Sequence, residues 1–285
     1  MAELANIDSI LSHIVPFIED HTPIPVSFNK WCIVNSSIQH YVISDVHIWK
    51  RNTNRIINRL DHIHKHIISS AEWVVHITLL WDLVETLALW WMHPGQIEDM
   101  DWPFGKELLF EVVNIFERFL YSIASSGKEV HVHAIPWNHD RMTRTKEDDI
   151  DFTGWFIIYH LIKQWVKLAV KSFDIYNSKI GFFDIENIRY IIHHWDNTRI
   201  QRSAQEKLVL SHWVIWQWRY NIILSWDKHH AELNEWKDYT TIICPALAWP
   251  GKYDIDNNFH SMPWFYTIIE NQFKSADVSL HRLPI

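Results

Sequence analysis

Apolar residues recur along this chain with two periods, near 3.6 and near 2, and the switches between them divide it into elements. Ile7, Ile10, Leu11, Ile14 and Ile18 share one helical face, as do Ile56, Leu60, Ile63 and Ile67. Between these helices, PVSFNKWCIV and HYVISDVHIW read as short strands. The apolar run at 71–92, with Ser69 or Ser70 as its cap, predicts a long buried helix. Asp82 and Glu85 near its middle count against a membrane span, because charge is costly in hydrocarbon. The segment HPGQIEDMDWP at 93–103 then breaks the pattern and marks a domain boundary near residue 105.

Beyond that boundary the elements alternate. ELLFEVVN reads as a strand, IFERFLYSIASS as a helix ending at Gly127, and EVHVHAI as a strand closed by Pro136. A helix over 153–172 follows, presenting Trp155, Ile158, Ile162, Trp165 and Leu168, and then the strands SKIGFFD and ENIRYII. A helix over 198–217, with Ser203 and Glu206 in capping-box spacing, leads to the strand YNIILSW, the polar segment KHHAELNEWKD and YTTIICPA. PWFYTIIENQF closes the chain as a helix and ADVSLHRLP as a strand. Alternation of this kind predicts an α/β fold with a Rossmann-like, doubly wound and mostly parallel sheet over 106–285, preceded by a mainly helical domain over 1–105.

Composition narrows the function classes. A formal charge of −8 supplies no broad basic field, so nucleic acid is not an expected partner. Cys32 and Cys244 have neither disulfide-framework nor zinc spacing, which fits a reducing, cytoplasmic setting. The N-terminal segment lacks the basic start and cleavage site of a secretory signal. The unusual numbers are 6 Gly against 18 Trp, which leave few residues for tight turns and supply aromatic surface suited to a core or a homodimer interface.

The order LLFEVVN, helix to Gly127, HVHAIP, GFFD and IIHHWDN resembles the class I methyltransferase fold, and within it the S-adenosylmethionine-dependent O-methyltransferases acting on small hydroxylated molecules. The resemblance covers roughly 106–285 and implies methyl transfer to a hydroxyl of a small aromatic molecule, with S-adenosylmethionine as cofactor. It implies His193 as the base and Asp227 as the residue orienting its imidazole, since in-line displacement needs an aligned acceptor that loses a proton. Glu111, Asp184, Arg189 and Trp195 then become the cofactor-binding residues. The sequence departs from the family at Glu111–Glu117, where a glycine-rich turn is expected and no glycine occurs.

Two other readings stand beside this one. His131 and His133 lie on one face of a strand, followed by His139 and Asp140, a pattern suited to a histidine-bound metal-dependent hydrolase. His62 and His66 form a weaker i,i+4 pair, more in keeping with a solvated helical face. The missing glycines instead suit a non-catalytic or artificial scaffold with no native ligand.

Overall fold

The computed structural model describes residues 38–48, 53–80, 83–84, 106–135, 154–176, 180–193, 220–225, 231–236, 239–248, 262–270 and 276–284. In chain order the elements are β1 (Ile38–Ser44), α1 (Thr53–Ser69), β2 (Val74–Leu80), α2 (Lys106–Ser125), β3 (Glu129–Ile135), α3 (Gly154–Val166) and β4 (Ser172–Ile175). They continue as β5 (Ile180–Ile185), β6 (Ile188–His193), β7 (Tyr220–Ser225), β8 (Glu232–Glu235), β9 (Tyr239–Ile243), β10 (Trp264–Glu270) and β11 (Ala276–Arg282).

These strands form two sheets, of six strands in the order β11-β10-β1-β2-β3-β4 and of five in the order β5-β6-β7-β9-β8. In the first, β1 to β4 run parallel, and β10 and β11 add an antiparallel edge. In the second, β6, β7 and β9 run parallel between antiparallel edges. Side chains alternate across each strand. Tyr41, Ile43, Val75, Ile77, Leu79, Val130 and Val132 therefore pack on one face of the larger sheet with the buried stripes of α1, α2 and α3. From its other face Val42, Leu80 and Ile135 meet Tyr190, Ile192, Ile222, Leu224 and Ile242 of the smaller sheet. The layers run helix, sheet, sheet, and the larger sheet is covered on both sides.

That double burial corrects several sequence expectations. Val74–Leu80 is buried almost throughout, so it reads as a continuous apolar run, yet it is β2 and not part of a long helix. ELLFEVVN belongs to α2, because Leu108, Leu109, Val112, Val113, Phe116 and Leu120 fall on one helical stripe and are all buried. WFYTIIE is β10: Phe265 faces the helices and Tyr266 and Ile268 face the smaller sheet. Among the described residues a mainly helical N-terminal domain is not supported, since β1, α1 and β2 belong to the six-stranded sheet and its helical cover. The α/β class holds, while the single doubly wound sheet gives way to two mixed sheets.

Other expectations hold. The helix around Ile56–Ile67, the strands β3, β5, β6, β7, β9 and β11, and the stop at Gly127, whose φ is +93°, all appear. No helix among the described residues is long and apolar enough to cross a membrane. The expected helices at the N-terminus and over 198–217 lie outside the described residues.

Candidate functional site

The parallel strands of both sheets bring their C-terminal ends together. The chain leaving β9 crosses to the end of β1, where the Leu247 amide donates to the Ser44 and Asp45 carbonyls at 2.9 and 3.1 Å and the Ala248 amide to Asp45 at 3.0 Å. On the other side the Asp45 amide donates to the Leu80 carbonyl at 3.2 Å, and Ile48 to Leu83 at 2.8 Å. In open α/β sheets this edge is where ligands bind.

Asp45 and His47 sit there, 0% and 2% exposed. Both take left-handed backbone conformations, each with φ of 45°. Non-glycine residues rarely do so, and such strain of about 1–3 kcal/mol per residue clusters at functional sites. Asp45 Oδ1 lies 3.9 Å from His47 Nε2, while the Ser44 hydroxyl donates to Asp45 Oδ2 at 2.5 Å and orients the carboxylate. Apolar Val46 and Ile48, 1% and 0% exposed, flank them in the chain and are buried with them.

Between the sheets lies a layer of histidines. His40, His76 and His131 occupy one register row across β1, β2 and β3. His76 Nδ1 is 2.9 Å from His133 Nε2, and His133 Nδ1 is 3.0 Å from the Tyr176 hydroxyl. His131 contacts Ser172 at 2.9 Å and Glu129 at 3.1 Å, and His40 contacts Thr78 at 2.6 Å. Phe183 stacks on His133 at 3.8 Å between ring centres. Burial, followed by the neighbouring histidine charges, holds His40 and His133 well below the ordinary imidazole range and brings His76 to about 3. Both ring nitrogens of His131 and of His133 have partners within the protein, so this pair packs and orders the layer between the sheets.

Among the described residues, those implied by the methyltransferase resemblance are not brought together. Glu111 lies on α2, on the outer side of the larger sheet beside Ile115 and Arg118, and follows no strand. Val113 and Phe116, which stand where a cofactor turn is expected, are fully buried helix residues. Asp184 and Arg189 pair with each other across the β5–β6 hairpin at 2.9 and 3.0 Å. Their carboxylate and guanidinium satisfy one another on a partly exposed edge. His193 closes β6 in the smaller sheet; Trp195, His194 and Asp227 lie outside the described residues, as do His139 and Asp140. The sequence did carry a signal for the pair that is present: an acid and a histidine two residues apart directly after the strand HYVIS.

No family model and no curated protein matches the chain. Among solved structures it is similar to a novel archaeal phosphodiesterase, at 10% identity and a TM-score of 0.45, over 85% of this chain and 99% of that one. It is also similar to wild-type Vps29 complexed with Zn²⁺ from Entamoeba histolytica, at 10% identity and 0.38 over 86% and 98%. A predicted phosphoesterase from Streptococcus pneumoniae aligns at 10% identity and 0.36 over 88% and 95%. These are not methyltransferases. The helix that carries Glu111, and the pairing of Asp184 with Arg189, correct the methyl-transfer reading and S-adenosylmethionine as its cofactor.

Proposed function

We propose that this chain is a metal-dependent hydrolase whose Asp45 and His47 hold a divalent cation at the joined C-terminal edges of its two sheets. The observation that carries the reading is the pair itself, buried, left-handed and 3.9 Å apart. Tetrahedral donors each about 2.1 Å from one ion lie about 3.4 Å apart, so the pair has to close by about 0.5 Å to share a cation. Carboxylate oxygen with imidazole nitrogen suits Zn²⁺, Mn²⁺ or Fe²⁺. No group of three or more ligating side chains surrounds one point among the described residues, so further ligands have to come from elsewhere. Asp82, His139 and Asp140 follow β2 and β3 in sequence and are the first to test.

A bound cation supplies Lewis acidity at the scissile group and lowers the pKa of a water toward neutrality. The protein's part is to fix the donors and keep the site dry. Ser44 orients the Asp45 carboxylate, and the amides of Leu247 and Ala248 clamp the Asp45 backbone.

The test is hydrolysis of a phosphodiester, a phosphomonoester and a carboxylic ester by metal-stripped protein reloaded with Mn²⁺ or Zn²⁺. Turnover is expected only after reloading. Asp45→Asn and His47→Ala should each reduce it by about 100-fold or more while the protein stays folded. Equal turnover in stripped and reloaded protein, or undiminished turnover in Asp45→Asn, overturns the reading.

A further inference from the structure

Along β11 one side of the backbone is committed to β10 and the other is open. Its residues stand opposite those of β10 from Trp264↔Arg282 to Glu270↔Ala276. One step beyond, the Leu283 amide donates to the Pro263 carbonyl at 2.9 Å, which fixes the phase of the ladder. In an antiparallel pair, directly opposed residues alternate between exchanging hydrogen bonds and pointing those groups away. Asp277, Ser279 and His281, in step with Leu283, therefore bond to β10. The amides and carbonyls of Ala276, Val278, Leu280 and Arg282 point outward, and among the described residues no strand lies beyond β11. Such an edge is a template for a further strand.

The side chains indicate which strand it fits. Ala276 and Val278 pack toward the smaller sheet beside Tyr266 and Ile268, so Leu280 and Arg282 lie on that face too. Asp277, Ser279 and His281 lie on the helix face, where His281 stacks on Phe265 at 4.9 Å between ring centres. Leu280 is 38% exposed, an apolar side chain at the open edge. Charge is divided along the strand, with acidic Asp277 near its start and His281 and Arg282 at its end. A strand of this kind complements a reversed copy of itself.

We propose that β11 pairs antiparallel with β11 of a second copy of this chain, about a two-fold axis at Ser279, joining the two larger sheets into one. With the axis there, Val278 stands opposite the partner's Leu280 and Ala276 opposite the partner's Arg282, so the outward amides and carbonyls exchange hydrogen bonds. Val278 and Leu280 cover each other's apolar surface. On the helix face Asp277 meets the partner's His281. On the other face the partner's Arg282 meets small Ala276, which leaves its guanidinium free to reach over to Glu270, opposite Ala276 on β10. Glu270 is there beside Glu186, whose carboxyl is raised by burial and by Glu270, so a cation is favoured at that end. An axis at Leu280 would set Asp277 against Leu283, and one at Val278 would set it against Ser279; neither gives the acid a partner of complementary charge.

The experiment is sedimentation of untagged full-length protein across the micromolar range, together with disulfide trapping by a diamide oxidant. The parent should dimerise. Leu280→Pro removes an amide that makes no bond to β10, a change an edge strand tolerates, and should weaken the dimer at least about tenfold while the thermal melt stays cooperative. Arg282→Glu, an exposed change, should weaken it in the same direction. In a Cys32→Ser background, where buried Cys244 is the remaining native thiol, Ser279→Cys should cross-link two chains. Ser279 meets its own copy in a pair without mutual hydrogen bonds, with Cα atoms about 4.5 Å apart, within disulfide reach. Asp277→Cys should not cross-link, because its copy lies about 13 Å away along the partner strand. A monomeric parent, a dimer unchanged in both Leu280→Pro and Arg282→Glu, or trapping at 277 as readily as at 279 overturns the proposal.

Discussion

Replacing His76 with glutamine should remove one proton from the acid sensitivity of this fold. His76 lies between the sheets, 9% exposed, with His131 stacked on it at 4.6 Å between ring centres and His133 hydrogen-bonded to it. The groups around it are His40 on β1, His131 and His133 on β3, Asp174 at 4.0 Å from His133, and the hydroxyls of Tyr176 and Tyr190. Burial, then the His131 charge, lowers its pKa from 6.5 to about 3. A base with a lowered folded-state pKa binds fewer protons when native than when unfolded. Its stabilising contribution is therefore complete above pH 6.5 and is lost as pH falls toward 3. The loss is about 1.4 kcal/mol per pH unit, or about 2 kcal/mol by about pH 5. His40 and His133 are shifted in the same direction and add to it. Glutamine can still offer an acceptor to His133 but cannot take up a proton. Urea denaturation between about pH 7 and pH 4.5 should give the parent a stability slope steeper than that of His76→Gln by about one proton, or about 1.4 kcal/mol per pH unit. If losing the stacked ring costs about 1 kcal/mol near neutrality, the two curves cross close to pH 6. Parallel curves over that range would refute the idea that a buried neutral histidine layer joins the sheets.

Two further outcomes follow from the packing. Gly127→Ala places a Cβ at a φ of +93°, with Trp73 ring atoms at ordinary contact distances of 3.4 and 3.5 Å; backbone strain decides, and the denaturation midpoint should fall by the equivalent of about 1–2 kcal/mol. No shift would mean that the α2 terminus relaxes freely. Arg59→Met keeps the apolar stem but loses the buried bond to the Leu247 carbonyl at 2.7 Å and the part-buried one to the Pro284 carbonyl at 3.3 Å, at a cost of about 2–3 kcal/mol. Because Leu247 also clamps Ser44 and Asp45, metal affinity at the proposed Asp45 and His47 site should weaken in the same variant; calorimetry showing parent affinity would refute that link.

Much of the local structure was legible. Alternating segments with turn signals at both ends, such as EVHVHAI and ADVSLHRLP, appear as strands, and the Ile56–Ile67 stripe appears as a helix. The pattern of Val74–Leu80 suggests a helix and that of Glu107–Asn114 a strand, each the reverse of what forms, for one reason. A strand buried on both faces loses its period of two, and the first turns of a heavily apolar helix look like a run. Exchanging those two assignments carried Glu111 from a strand end to the outer face of a helix, and the methyltransferase resemblance failed with it. His131 and His133 were recognised as a same-face pair, but whether that face met solvent, a metal or another sheet is not a local property.

By itself the amino-acid order determined the α/β class, the identities and spacing of Asp45 and His47 after their strand, and the scarcity of glycine that excludes a phosphate-style or cofactor-cradling turn at Glu111. Tertiary structure decided that the strands divide into two facing sheets, that the histidines of β1, β2 and β3 become an interior layer, and that the ends of β1 and β9 meet around Asp45. Periodicity reports which face of an element avoids water. Which partner covers that face depends on strand pairing between residues as distant as Tyr41 and Thr267, and no local pattern encodes that choice.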